Sequence, residues 1–192
     1  MKIVVTGALG HIGSKLIREL STSFENFEIH MIDNLLTQRY TSLFNLPQNI
    51  KYYFYELDIT KDNLDQIFES ADYVIHLAAL TVATSSFDNP DEYELINYMG
   101  TKRILEMCKT VSAKLIHFSS TSIYGTKKTI VDDYSGAEDI NPQSPYAETK
   151  YREEQLVQKY FNNNLVDTIT LRMGSICGIS PGMRFHAAIS KF

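Results

Sequence analysis

The chain has little of what marks several large classes of protein. It holds two cysteines, Cys108 and Cys177, in 192 residues. They show neither metal-ligand spacing nor a partner motif, so both are expected to be buried free thiols. No apolar run approaches the ~20 residues of a membrane span, and the N-terminus has no signal-peptide hydrophobic stretch with a cleavage site. No membrane partner and a reducing, cytoplasmic setting are therefore expected. Basic residues are not in excess: 18 Lys and Arg against 23 Asp and Glu give a formal charge of -5, which argues against nucleic acid as a general partner. The histidines His11, His30, His76, His117 and His186 never stand four apart, so no metal site is expected. What remains is a mildly acidic chain, 44% hydrophobic, long enough to bury a full core in one domain.

Short β-rich runs alternate with helical patterns along that chain. Lys2–Val5 is an apolar run that breaks into a glycine turn, after which Ile12, Leu16, Ile17 and Leu20 mark one helical face. Strands are predicted over Glu28–Ile32, Lys51–Leu57, Tyr73–Leu77, Lys114–Phe118 and Thr168–Leu171. Helices are predicted over Asp62–Phe68, Asp91–Lys109 and Glu148–Phe161. Alternation of this kind predicts an α/β fold, a doubly wound parallel sheet with helices on both faces. No repeat, low-complexity tract or linker interrupts it.

The first chemical motif is Gly7-Ala-Leu-Gly10-His11-Ile12-Gly13, between the first strand and the first helix. Glycines there permit a tight turn and close backbone approach to a pyrophosphate, which the helix N-terminus attracts. The pattern alone also fits a plain strand-to-helix turn. Its context adds Asp33, 26 residues after Gly7 at the end of the second strand, near the ~20-residue spacing of an acid that binds ribose hydroxyls. A carboxylate at that place repels a 2′-phosphate, so NAD is expected rather than NADP. A turn or capping role for Asp33 is the alternative.

The second motif is Tyr146 with Lys150 in Tyr-Ala-Glu-Thr-Lys. A helix starting near Pro145 puts both side chains on one face. Free tyrosine titrates near ~10, and lowering it by about three units takes roughly 4 kcal/mol, which an ammonium and an oxidised nicotinamide could supply together. As an isolated pair these residues equally suit an ordinary surface helix. A hydroxyl partner is supplied by Ser119, Ser120, Thr121 and Ser122, just past the strand Lys114–Phe118, where a doubly wound sheet lines its ligand crevice. Such a cluster also caps turns.

Taken together, these pieces resemble the extended short-chain dehydrogenase/reductase superfamily, in its NAD-dependent nucleotide-sugar epimerase and dehydratase branch. The resemblance rests on Thr6–Gly13, Asp33-Asn34-Leu35, Asp58-Ile59, His76-Leu77-Ala78-Ala79, Asn97 with Gly100-Thr101, Ser119–Gly125, Pro145–Lys150, and Leu171-Arg172 before Gly178, in the family's order and spacing. It implies that Tyr146 is the acid/base, with Lys150 as its electrostatic partner and nicotinamide-ribose ligand. Ser120 would bond the substrate oxygen, with Thr121 as second candidate and Thr81 also on the substrate side. Gly7, Gly10, His11, Ile12, Gly13, Asp33, Asn34, Asp58, Ile59, Leu77, Ala78 and Ala79 would line the NAD site, and Asn97 would support it from behind. The implied chemistry is oxidation of a sugar hydroxyl to a 4-keto intermediate, with dimerisation through the helices at Asp91–Lys109 and Glu148–Phe161.

Two departures shape the expectation. The 4,6-dehydratases of this family place an acidic residue directly after the active hydroxyl, and this chain has Thr121 and Ser122 there. Epimerase or keto-sugar reductase is therefore expected over dehydratase. The segment Ser180–Ala187 also differs from the common epimerase pattern and assigns no sugar. The chain reaches Phe192 where family members continue, so residues 1–180 are read as the NAD-binding domain and 181–192, with a helical stretch over Phe185–Phe192, as the start of a substrate-binding part. A hydroxysteroid-like or small-alcohol dehydrogenase, or a non-catalytic NAD-binding sensor, is the alternative.

Overall fold

Each β-rich run of the sequence becomes one strand of a single parallel sheet. The computed structural model describes residues 1–126, 130–132 and 135–183. The strands are β1 Lys2–Thr6, β2 Glu28–Asp33, β3 Lys51–Glu56, β4 Tyr73–His76, β5 Lys114–Ser120 and β6 Thr168–Met173. They pair in the order β3-β2-β1-β4-β5-β6, every pair parallel. The order reverses between β1 and β4, which opens a crevice at the carboxyl ends of those strands. The expected α/β doubly wound architecture is the one observed.

Helices α1 His11–Ser23, α2 Asp65–Phe68, α3 Pro90–Tyr93, α4 Gly100–Val111 and α5 Pro145–Asn162 cover the sheet, with a π-helical stretch Glu94–Met99 joining α3 to α4. Alternate residues of each strand point to opposite faces. On one face Val4, Ile32, Val74 and Leu115 pack with Ile104 and Leu105 of α4 and Val157 and Tyr160 of α5. On the other, Ile3, Val5, Ile29, Met31 and Ile75 pack with Ile17 of α1. Burying each such side chain contributes about 1.5–3 kcal/mol, so the two layers hold the strand ends that carry the crevice.

Three expectations need correction. The helix expected over Asp62–Phe68 is only the turn Asp65–Phe68, because a polar side chain takes a backbone group that a longer helix would use. The Asp65 amide donates to Asn63 Oδ1 at 2.8 Å, which leaves Asp62 and Asn63 outside the helix. The helix expected over Asp91–Lys109 runs from Pro90 to Val111 but widens at Glu94–Met99, and it stops where Ser112 turns left-handed at φ 58. Cys108 is buried as expected, whereas Cys177 is exposed on the segment that follows β6. The helical stretch expected over Phe185–Phe192 lies outside the described residues. Among the described residues no helix is long and apolar enough to cross a membrane, and no cluster of three potential metal ligands occurs.

Candidate active site

The glycine turn after β1 is shaped by contacts that exclude a side chain. Gly7 is left-handed at φ 65, and a Cβ there would lie 2.6 Å from the Ala78 amide nitrogen. At Gly13 a Cβ would meet the Gly7 and Ala8 carbonyl oxygens at 2.6 and 2.7 Å. Glycine at these two positions lets α1 start tight against both the turn and the segment after β4. No side chain caps α1 at Gly10, so its first turn opens into the crevice with the positive end of the helix dipole. Behind the turn, the Ser42 hydroxyl donates to the Leu9 carbonyl at 3.0 Å and the Gly182 amide donates to Ser14 Oγ at 2.9 Å. The Ser180–Met183 end of the unassigned segment thus seats against the glycine turn.

Asp33 ends β2 beside this turn. Its two carboxylate oxygens accept the Leu9 amide at 3.1 Å and the Leu35 amide at 3.0 Å. Burial pushes its carboxyl above the ordinary range, partly offset by those two amides and by the charge of Arg39. Asp58 sits across from it, holding the Thr60 hydroxyl at 2.6 Å and the Asn34 amide at 3.3 Å. Burial raises Asp58 too, but these hydrogen bonds outweigh it and leave the carboxyl below its usual value. Ile59, buried beside Asp58, packs under Gly100. A small hollow of about 130 Å³ is bordered by Asp33, Asn34, Asp58 and Ile59. It joins, through Gly7, Gly10, Leu77 and Ala79, a larger chamber of about 530 Å³. The groove is therefore long, with a fixed carboxylate at one end and an uncapped helix N-terminus in its middle. Those features fit a dinucleotide, whose diol and pyrophosphate need them in that order.

The far end of the groove is the chamber, where Ser120, Thr121, Tyr146, Lys150 and Thr81 come together. Tyr146 and Lys150 do share a helix, because Ser144 caps α5 by accepting the Ala147 amide at 3.1 Å and Pro145 occupies the first turn. The Tyr146 ring is 9% exposed and packs edge-on against Tyr93, with centroids 6.2 Å apart. Its amide donates to Ser86 Oγ at 3.1 Å. Ser120 caps the short 3-10 turn Thr121–Tyr124, so the capping role and the crevice position coincide in one residue. Ser120 Oγ accepts the Ser122 amide at 3.2 Å and the Ser122 hydroxyl at 2.9 Å, which leaves its own hydrogen to donate. Thr121 donates instead to the Met173 carbonyl at 3.3 Å, tying the turn to the end of β6.

A model of the NAD dependent epimerase/dehydratase family matches residues 3–192. The chain belongs to that family. It is 32% identical over 205 residues to a dTDP-D-glucose 4,6-dehydratase of Dictyostelium discoideum, covering 100% of this chain and 47% of that protein. It is also 32% identical over 197 residues to D-erythronate dehydrogenase of Haemophilus influenzae, covering 99% of this chain and 59% of the other. The structure of UDP-glucuronic acid 4-epimerase from Bacillus cereus in complex with NAD superposes with a TM-score of 0.83 at 32% identity, covering 100% of this chain and 63% of that one. The chain therefore spans about half to three fifths of the length of these relatives. Family members of this kind depend on NAD. The three relatives differ in the reaction they are named for.

Every residue that the sequence singled out for NAD or substrate lines this groove or the turn beneath it. Asn97, in the π-helical stretch, grips both backbone groups of Leu80, accepting its amide at 2.8 Å and donating to its carbonyl at 3.0 Å, and so fixes the segment that carries Ala78 and Ala79. Sequence reasoning missed Arg39, which borders both parts of the groove and would come within 4.0 Å of a Cβ at Gly10. One signal was available, a lone basic residue shortly after the ribose-type carboxylate. It also missed the rim Met173–Ile176, which lines the chamber from the end of β6. A separate concavity of about 460 Å³ on the outer side of α5 is lined by Tyr151, Glu154, Lys159 and Arg172, and none of the selected residues borders it.

Proposed function

We propose that this chain carries the cofactor-binding and proton-transfer part of an enzyme that oxidises a hydroxyl of a nucleotide-linked sugar to a ketone, and that it works as an epimerase or keto-sugar reductase. The observation that carries this reading is the convergence of Ser120, Tyr146 and Lys150 in one chamber continuous with the glycine turn and Asp33. Bound NAD supplies hydride acceptance and donation. Tyr146, as the phenolate, takes the proton of the sugar hydroxyl and becomes the neutral phenol, Ser120 donates its remaining hydrogen to the same oxygen, and Lys150 supplies the positive charge that favours the phenolate beforehand. Asp33 takes the adenosine ribose hydroxyls, Asp58 and Ile59 flank the adenine, and Arg39 together with the His11–Gly13 amides faces the pyrophosphate.

The choice against dehydration rests on the chamber wall. Among the described residues no aspartate or glutamate lines the larger chamber, and water elimination needs an acid group placed beside the reacting carbon. A second reading, oxidation of a small hydroxy acid, is favoured by the likeness to D-erythronate dehydrogenase. We also read the exposed Leu95 and Met99, beside α4, as the meeting surface of two copies.

Calorimetric titration with NAD should give saturable binding that Asp33→Ala weakens about tenfold or more, the worth of a lost charged hydrogen bond. No binding by the unmodified chain would sink both readings. NADH formation is then followed with a panel of UDP- and dTDP-sugars and with D-erythronate. Tyr146→Phe should cut hydride transfer about 10²–10⁴-fold while leaving NAD affinity nearly intact. A preference for D-erythronate over every nucleotide sugar would replace the first reading with the second.

A further inference from the structure

Behind Lys150 lies a buried polar array that the proposed chemistry leaves without a role. Glu153, one helical turn on and 1% exposed, accepts the Lys150 ammonium at 2.9 Å. The same Oε2 accepts His117 Nε2 of β5 at 3.1 Å and the Thr101 hydroxyl of α4 at 3.1 Å. Lys150 makes one further bond, to the Phe118 carbonyl at 2.9 Å. The array continues through His76 of β4, whose Nε2 lies 3.0 Å from Thr101 Oγ1 and whose Nδ1 lies 2.7 Å from Thr6 Oγ1.

The hydrogen positions follow from counting donors. Thr101 has a single hydroxyl hydrogen and gives it to Glu153, so its oxygen accepts from His76 Nε2–H. His76 Nδ1 is then the acceptor, and Thr6 donates to it. Thr6 Oγ1 accepts in turn from the Ala78 amide at 3.3 Å, at the floor of the groove. Every donor in the array thus runs from Ala78 toward the Glu153 carboxylate.

The charges agree with that direction. Burial alone would raise the Glu153 carboxyl, but the Lys150 charge and the His117 hydrogen bond outweigh it and hold it at about 2. Burial pushes His76 down to about 3 and lowers His117 as well, so both rings are neutral. One buried carboxylate therefore faces one ammonium. A buried ion pair of this sort adds little net stability over an apolar pair of the same shape; its product is a charge held in one place.

We propose that Glu153 is a positioning residue for the reaction proposed above: with the Phe118 carbonyl it clamps Lys150 as an ammonium at the chamber wall beside Tyr146, and Thr101, His76 and Thr6 tie that clamp to the groove floor. The inference rests on the proposed function for its catalytic meaning. The titratable groups that act on the clamp are His117 from β5 and His76 from β4, with Glu154 of α5 acting on His117; α4 and β1 contribute the hydroxyls of Thr101 and Thr6. Among the described residues Glu153 is the only carboxylate within ion-pair distance of Lys150. Without it the ammonium keeps its burial cost and loses its counter-charge, and it gives up its proton more readily.

Glu153→Gln keeps the shape and removes the charge. In the cofactor-free chain, side-chain NMR of Lys150, assigned against Lys150→Met, should show its titration midpoint falling by at least about one unit in the variant. With NAD, the variant should bind nearly as well as the unmodified chain at about pH 6 and progressively more weakly than it as pH rises through the lowered Lys150 midpoint. Glu153→Asp should lie between the two and supplies the same reading where the glutamine variant does not fold. An unchanged Lys150 midpoint, with affinity reduced by one constant factor at every pH, would overturn the proposal and leave Glu153 a packing residue. Failure of the unmodified chain to bind NAD would overturn the functional reading alone, because the Lys150 titration still decides the clamp.

Discussion

The two faces of the sheet are covered to different extents. On the α4/α5 face the core runs unbroken from Ile32 of β2 through Val4, Val74 and Leu115 to Val166 at the entry to β6. On the α1 face it is complete only over β1, β2 and β4, where Val5, Ile29 and Ile75 are buried. At the β6 end of that face Ile169 is 60% and Leu171 39% exposed, directly beside Ile116 and Phe118 in the strand register. The groups proposed to move a proton are rooted in the closed face, through α5 and its buried array. The glycine turn belongs to the other face, and the chamber opens toward the thinly covered β6 end. Among the described residues burial is thus deepest behind the proposed proton-transfer groups and shallowest at the β6 end.

The largest expected effect tests that contrast directly. Leu105→Ala, in the closed layer and fully buried, should cost about 2–5 kcal/mol in urea unfolding. Leu171→Ala, on the open end of the other face, should cost less than about 1 kcal/mol. Equal losses would mean that the two faces are packed alike and that the comparison fails.

Acid should separate the faces next. His76 titrates near 6.5 when unfolded and at about 3 when folded, so the unfolded chain binds its proton first. Its contribution is complete above about pH 6.5 and is lost as pH falls toward 3, at about 1.4 kcal/mol per unit, or about 2 kcal/mol by pH 5. His117 is lowered too, and Glu153 adds a loss of the same sign between 4.5 and about 2. Asp33, on the glycine-turn side, is raised by burial and acts oppositely: what it contributes is present in acid and lost as pH rises through its folded value. Hydrogen exchange at about pH 5 should therefore show the α4/α5 layer loosening before the Asp33 turn. A stability flat between pH 7 and 5 would contradict the neutral buried histidines.

What was legible in the sequence was what lies close along it. The glycine turn, Asp33 and the Tyr146–Lys150 pair are local spacings on single elements, and each sits where those spacings put it. The six strands were legible for the same reason, as short β-rich runs that are locally continuous in the chain. Glu153 was not, although it stands three residues from Lys150, because its meaning comes from His117, Thr101 and His76, which α4, β4 and β5 bring to it from more than 30 residues away in sequence. Scattered histidines read as unremarkable for metal binding, and two of them are buried donors in one array. The shortness of α2 was hidden in a side chain as well: Asn63 lies within the expected helix, yet its Oδ1 takes the Asp65 amide and delays the start of the helix. Arg39 escaped because its one signal, a lone basic residue six positions after Asp33, gains meaning only when the fold sets it between the two halves of the groove.

The smallest expected effect is the sharpest test of the open end. β6 is the outermost strand among those described, and its α1-side surface shows an exposed isoleucine next to an unpaired edge, the kind of surface through which strands associate. Ile169→Lys should change unfolding free energy by no more than about 0.5 kcal/mol, since the side chain is mostly in solvent. It should at the same time reduce concentration-dependent association in sedimentation, because a charge on an exposed edge strand opposes pairing. A loss above about 1 kcal/mol would show that Ile169 is covered in solution, and the α1 face would then be as closed as its opposite.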